Sequence, residues 1–411
     1  MEPAEIKDLT ESLIRLKKLS TEACQPEAQK EVLSLLNKLR LLFVEQAVVD
    51  VMSTYYDFGE VTAVTRLFGG LINQNFSVAT NDGYRRHRFF IKRYRREADV
   101  KEIMLEHKFN QHLTADGFPE IAKVLPSIDG KSFVAYPVPY LDAPDAPSKF
   151  AVYSYLEGED RYAWRTPHCS MTELASASDK FAKVHERSFG FDPGAYAKDE
   201  PKIVKLMDAF PRYFQTFEEK SKGSMKGSKS ADYFLEQQPK YIQALKRCQK
   251  LKEACEGMLE VIVHGDYHPG NQKYTGDGVT GIFDFDWCKQ DLRLFDVAIT
   301  ITYFCTSWKE HEDGVLFLDE IKVLLEAYQK RLKHSDRIYP LTREELAVLP
   351  EMIILANMYV VWWDLREIFE VEASESDEDE CLIYLKHNSK INEYALAHLE
   401  EIRAVAQSIH V

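Results

Sequence analysis

Residues 261–296, VIVHGDYHPGNQKYTGDGVTGIFDFDWCKQDLRLFD, constrain this chain more than any other stretch. The apolar run Val261, Ile262 and Val263 reads as a strand. The chain then turns through Gly265, Pro269 and Gly270, and Asp266 and Asn271 sit on that turn. A second run, residues 279–283, leads straight into Asp284 and Asp286. Two turns fed by short apolar segments thus present three carboxylates and one carboxamide. That donor set suits a divalent cation beside a phosphate.

The chain of 411 residues is long enough for two domains or lobes. Its formal charge of −14 repels nucleic acid and anionic lipid, so neither is an expected partner. Seven scattered cysteines without a CxxC pair read as reduced thiols of a cytoplasmic protein. The N-terminus alternates charges and lacks an apolar signal core. Residues 347–363 are strongly apolar but contain Pro350, Glu351 and Asn357, and read as a buried helix rather than a membrane span.

Residues 1–45 carry leucines mostly three and four apart, and Pro26 divides them into two helices. They form an amphipathic packing extension, with a partner-binding arm or a homodimer surface as the alternative. From Val61 the period changes to two. Residues 61–66, 75–79 and 88–94 read as three antiparallel strands, the last two joined at Asn81-Asp82-Gly83. A helix follows over 97–113, then strands over 122–125, 132–136 and 151–156. Beyond Gly158 the pattern is mostly helical: 172–188, 233–256, 296–305, 316–332, 343–369 with a break near Pro350, and 381–409. The run KSKGSMKGSKS at 220–230 misses the spacing of a phosphate-binding loop and reads as an exposed loop. Residues 373–380, ASESDEDE, read as an acidic loop.

Asp266 followed five residues later by Asn271 can serve phosphoryl transfer: the carboxylate orients a hydroxyl or takes its proton, and the amide oxygen holds magnesium. The bland alternative is that both satisfy turn backbone. Asp284, at a strand end, suits magnesium. Asp286 either faces the same ion or supports it, against an exposed acidic turn. Asp296 either caps the helix after it or bonds the loop at His264. His264 and His268 are four apart, but Gly265 and Pro269 forbid the helix a zinc pair would use. Lys92 lies in an apolar strand beside Ile91, where an inward ammonium needs a counter-charge or a phosphate. Glu106 on the next helix is the expected partner, with Glu102 one turn earlier as the alternative. Gly69 and Gly70 would let backbone amides approach a phosphate.

With Lys92, HGDYHPGN and IFDFDW in view, the chain resembles the aminoglycoside phosphotransferase/choline kinase-like family, from about residue 48 to the helix after Asp296. The resemblance implies an α+β, two-lobed protein-kinase-like fold. Its parts would be an N-terminal helical extension (1–47), a small antiparallel-sheet lobe (48–153), a hinge (154–160) and a larger helical lobe (161–411). It implies ATP and Mg2+ as cofactors. Gly69, Gly70 and Asn73 match the nucleotide-covering hairpin. Lys92 resembles the lysine on the α/β-phosphates, and Glu106 its helix partner. Tyr155 and Leu156 look like the hinge whose backbone bonds adenine. Asp266 looks like the catalytic aspartate, Asn271 and Asp284 like magnesium ligands, with Asp286 a further candidate, and Asp296 like the structural aspartate of the next helix. The hairpin lacks G-x-G-x-x-G, and no H-R-D or A-P-E segment is present, which argues against a protein kinase. GGLINQNF and FDFDWCKQDLRLFDVAITI look most similar to the type II homoserine kinase-like branch. The implied activity is phosphorylation of a small-molecule hydroxyl acceptor, homoserine-like by preference. An aminoglycoside or choline/ethanolamine-type acceptor is one alternative, and a catalytically silent pseudokinase is another.

Overall fold

The computed structural model describes residues 11, 14, 26–67, 73–95, 98–143, 145–370 and 378–410 and, in the first helix, side chains from Leu36 onward. It divides into two compact units. One is Met1–Ala98 with Lys123–Tyr155, and the other is Asp99–Ala122 with Leu156–Val411. The expectations at Gly69 and Gly70, at Leu9, Leu13 and Leu16, and at the acidic loop up to residue 377 lie outside the described residues.

The first unit is built on six antiparallel strands: β1 (Glu60–Leu67), β2 (Gln74–Asn81), β3 (Arg86–Arg93), β4 (Val124–Leu125), β5 (Val134–Tyr136) and β6 (Ser148–Ser154). They run in the order β1-β2-β3-β6-β4, with β5 also on β6. The β2–β3 turn closes because Asp82 Oδ1 accepts the N–H groups of Tyr84 and Arg85. Helix α1 (Pro26–Tyr55) shares the unit's core, where Val44, Val48 and Val51 join Phe76, Val78, Ile91 and Val152. This helix crosses the expected boundary at residues 47 and 48 and runs on to Tyr55, well past the expected end at residue 45. Its lower part is valine-rich, which hid the helical period. Strand alternation sends Ile91 into that core, so Lys92, its neighbour, points to the opposite face.

The second unit is helical, with two short antiparallel ladders. Its helices are α2 (Val100–Ala115), α3 (Met171–Ser188), α4 (Ile203–Leu206), α5 (Phe210–Lys222), α6 (Lys229–Cys248), α7 (Leu251–Ala254), α8 (Arg293–Phe304), α9 (Leu318–Leu332), α10 (Arg343–Glu370), α11 (Glu378–Ala397) and α12 (Leu399–Ser408). The ladders pair β7 (Glu260–Val263) with β10 (Lys289–Leu292), and β8 (Gln272–Thr275) with β9 (Gly278–Ile282). Helix α10 is long and apolar enough to cross a membrane, yet most of that stretch is buried inside the unit among α6, α8, α11 and α12.

Four expectations need correction. Helix α5 was not expected, although Pro211 stands in its first turn and Phe210, Phe214 and Phe217 are its buried face. The exposed loop expected at 220–230 is shorter at both ends, where 220–222 close α5 and 229–230 open α6. Helix α10 runs unbroken through Pro350. Most of the helix is buried, and Arg403 donates to the carbonyl of Ala347, next to the Leu346 carbonyl that Pro350 leaves without a helical N–H. Residues 381–409 form two helices that part at His398.

Candidate active site

Asp296 organises the loop after β7. It is fully buried in the first turn of α8. Its Oδ2 accepts the N–H of His264 at 2.6 Å, and its Oδ1 accepts that of Gly265 at 2.9 Å. His185, buried on α3, donates Nε2–H to Oδ2 at 2.9 Å, and its Nδ1 lies 2.7 Å from the Tyr328 hydroxyl. Of the two readings weighed for Asp296, the bond to the His264 loop is therefore the observed one, and the cap position falls to Leu292. Gly265 has φ +76°, and a Cβ there would stand 2.7 Å from the Trp287 carbonyl oxygen. The close approach of the two aspartate-bearing loops thus requires glycine.

Asp266 follows directly. The Asn271 amide donates Nδ2–H to the Asp266 carbonyl at 3.0 Å and to its Oδ2 at 3.1 Å. That fixes the amide with Oδ1 turned away from Asp266. The flanking histidines are local braces. His264 Nδ1 accepts the Asp266 N–H, and its Nε2 donates to the Phe283 carbonyl. His268 Nδ1 accepts the Gly270 N–H, and its Nε2 stands 3.7 Å from Asp266 Oδ2. Burial lowers both rings, to about 4 for His264 and about 3 for His268, so both are neutral at pH 7. Among the described residues no group of three or more His, Cys, Asp or Glu could hold a metal ion.

Asn271 and Asp284 sit at neighbouring strand ends. Gln272 opposes Ile282 in the ladder, and the Phe283 N–H bonds the Asn271 carbonyl at 3.2 Å. Asp284 has φ +67°, one of two non-glycine residues with positive φ among the described residues. A left-handed aspartate at a strand end stores backbone strain and marks a candidate functional position. Burial raises the Asp266 carboxyl well above its usual range, and the charges of Asp284 and then Asp286 add to the rise. The three carboxylates therefore share one electrostatic field. That repulsion, together with the amide oxygen of Asn271, fits a hard divalent cation held by few protein ligands. Lys198 Nζ donates to the backbone carbonyl of Asp286 at 2.6 Å. Neither Lys198 nor His185 was picked out from sequence. His185 shows only as a histidine on the apolar face of an amphipathic helix, and Lys198 lies in a stretch without periodicity.

The remaining candidates divide between the units. In the first, Lys92 is buried, with Asn75 and Ala151 opposite it in the sheet. Asn73 Oδ1 accepts the Arg95 N–H at 2.9 Å. The Arg88 guanidinium lies 4.0 Å from the centroid of the Tyr155 ring. The units divide between Tyr155 and Leu156. In the second unit, Leu156 Cδ1 lies against Gly281, and Glu106 is buried on α2. The segment after Leu156 is fastened by Glu159, whose N–H and carbonyl bond the carbonyl and N–H of Tyr274.

Solved structures of similar fold are kinases. A spectinomycin phosphotransferase solved with ADP and spectinomycin is 14% identical with a TM-score of 0.56, covering 86% of this chain and 98% of that one. The choline kinase of Cryptosporidium parvum is 13% identical with a TM-score of 0.57, covering 88% and 98%. A small antiparallel-sheet unit and a helical unit of this kind define a kinase-like fold. Residues 63–329 match the APH family, the phosphotransferase enzyme family, and the chain belongs to it. It is a small-molecule phosphotransferase, a kinase that transfers phosphate to a hydroxyl group. The homoserine kinase of Agrobacterium fabrum is 25% identical over 301 residues, 72% of this chain and 78% of that protein. The homoserine kinase of Methylobacillus flagellatus is 29% identical over 149 residues, 36% of this chain and 42% of its own length.

Proposed function

We propose that this kinase uses ATP and Mg2+ to phosphorylate the hydroxyl of a small amino acid or amino alcohol, with a homoserine-like acceptor. The observation that carries the reading is the placement of Asp266. Its carboxylate is held by the Asn271 amide, and Asn271 and Asp284 stand at adjacent strand ends. The support for the acceptor is the similarity to two homoserine kinases. Kinases of similar fold solved with ADP or an ATP analogue support the nucleotide.

Asp266 orients the acceptor hydroxyl and takes its proton as the oxygen–phosphorus bond forms and the bond to the leaving β-phosphate oxygen breaks. Lys92 takes the nucleotide's α/β-phosphates. Asn73 lies toward the nucleotide's phosphates in this reading. The backbone at Tyr155 and Leu156 bonds the adenine. Asn271 and Asp284 hold the magnesium ion, with Asp286 beside them. When bound, that ion neutralises charge on the transferring phosphate. Positioning and fixed charges provide most of the acceleration.

Asp266→Ala should lower kcat by about 10²–10⁴-fold, the range for losing a positioned general base. ATP binding should change little. ADP release with homoserine, ethanolamine, choline and an aminoglycoside measures both points. Near-normal turnover in the variant would sink the mechanism, and homoserine ranking last among the acceptors would sink the substrate assignment.

A further inference from the structure

Residues 198–202 belong to no helix or strand, yet each of them is tied to another element of the helical unit. Lys198 donates to the Asp286 carbonyl at 2.6 Å. Asp199 pairs with Lys101 of α2 at 2.8 Å. Glu200 Oε1 accepts from Lys289 Nζ of β10 and, at 3.0 Å, from the Tyr359 hydroxyl of α10. The same Lys289 Nζ donates to the Pro201 carbonyl at 3.4 Å, and Lys202 pairs with Glu260 of β7. Where α4 begins, the Ile203 N–H donates to Asp291 Oδ2 at 2.9 Å.

These ties differ in weight. Asp199 is almost fully exposed, and water screens a pair of that kind. Glu200 is only 20% exposed, and its two donors are buried. Hydrogen bonds of a charged group count for most where water competes least. Lys289 also pairs with the buried Asp291 at 3.1 Å, so loss of the Glu200 side chain strands no charge in the core. Helix α10 meets the aspartate turn a second time. One turn beyond Tyr359, Trp363 packs its ring 4.4 Å from that of Trp287, the residue after Asp286. Lys198 Nζ in turn lies 5.8 Å from the centroid of the Trp287 ring. From α10 through Glu200, Lys198, Asp286 and Trp287 back to α10, the circuit is closed. It encloses the turn on which Asp284 keeps its left-handed backbone, a conformation that persists only where its surroundings hold it.

We propose that residues 198–203 are a strap that holds the Asp284–Asp286 turn in the shape that receives the cation, and that Glu200 is the positioning residue that anchors it. The proposal rests on the reading in which Asp284 holds the ion. Glu200 acts through Lys198, which reaches the turn.

Amide hydrogen exchange of the peptide over residues 283–288 tests the strap with no ligand present. Glu200→Ala should speed exchange there by at least ~10-fold, the effect of one charged hydrogen bond on a local opening. Lys198→Met should do the same. Both act through one strap, so the double variant should exchange no faster than either single variant. Glu200→Gln keeps an acceptor for Tyr359 and Lys289 and should recover most of the loss. Mn2+ titrated in the presence of ADP and followed by electron paramagnetic resonance is the second readout. Glu200→Ala should weaken Mn2+ by ~10-fold, while ADP affinity without metal changes by less than ~2-fold. Unchanged exchange at 283–288 in Glu200→Ala would overturn the proposal, as would a double variant whose acceleration is the product of the two single ones. An ADP affinity that falls as far as that for Mn2+ would overturn it too, since general disruption then explains the loss. Should Glu200→Ala fail to fold, Tyr359→Phe takes its place and must speed exchange at 283–288 in wild type but not in Lys198→Met. The cation reading fails separately, if wild type with ADP takes up no Mn2+, and exchange judges the strap in either case.

Discussion

Replacing Asp296 by Asn keeps the side chain's shape and removes its charge. Three donors converge on the carboxylate: the N–H groups of His264 and Gly265, and the His185 imidazole. An asparagine offers one acceptor oxygen and turns its NH2 toward another donor, leaving a buried N–H without a partner. The expected loss is about 2–4 kcal/mol, the range for breaking a charged, buried hydrogen-bond group. Asp296→Asn should lower the urea midpoint followed by circular dichroism. It should also lower kcat, because Asp266 follows Gly265 directly. A midpoint equal to that of wild type would show that the network does not hold the loop. This residue also marks how far sequence reading reaches. Asp266, Asn271 and Asp284 lie close in the chain on two adjacent turns, so spacing alone singles them out as candidates. The partner that explains Asp296 is His185, on a helix far earlier in the chain, and no local pattern joins the two.

At the level of elements, the turn between β9 and β10 depends on a segment that carries no secondary-structure signal. Asp284 occupies left-handed backbone, and Lys198 grips the carbonyl of Asp286 two residues on. A charged donor on a carbonyl is worth about 1.5–3 kcal/mol. With Mg2+ as the proposed ion, Lys198→Met should therefore raise the Mg2+ concentration needed for half-maximal activity by about 10-fold, the equivalent of about 1.4 kcal/mol. Titration of Mg2+ at fixed ATP measures it, with Lys198→Arg expected to recover most of the effect. An unchanged Mg2+ requirement would show that the turn holds its shape without the lysine. Element legibility follows the same logic. The strands of the sheet unit were readable because one buried face imposes a period of two. Helix α5 was not, because Pro211 and the Lys/Gly/Ser run after it look like loop signals while its phenylalanine face is only three residues deep. Pro350 likewise signals a break that burial of α10 overrides.

Across the whole molecule, each unit has its own core, and the helical unit's core includes Leu105, Phe109 and Leu113 of α2. The switch from strand to helix beyond Gly158 was legible. The grouping of α2 with the later helices was not, because amphipathicity says that a face is buried but not against what. All five tryptophans lie in the helical unit, so protein fluorescence reports on that unit. Glu320 belongs to it as well. It stands in the first turn of α9, and burial raises its carboxyl from 4.5 to about 7. Below pH 4.5 it is neutral in folded and unfolded chains alike, and stability is unaffected. Between pH 4.5 and 7 the unfolded chain ionises it while the folded chain keeps the proton, so stability falls as pH rises. Above pH 7 the loss is complete, and solvent screening of the partly exposed carboxyl keeps it to about 1–2 kcal/mol, below the full rate of about 1.4 kcal/mol per pH unit. Glu320→Gln never ionises. Its fluorescence-detected urea midpoint should match that of wild type at pH 4.5 and exceed it at pH 8. A difference of the same size at both pH values would show that burial of this carboxyl does not control the pH response of the helical unit.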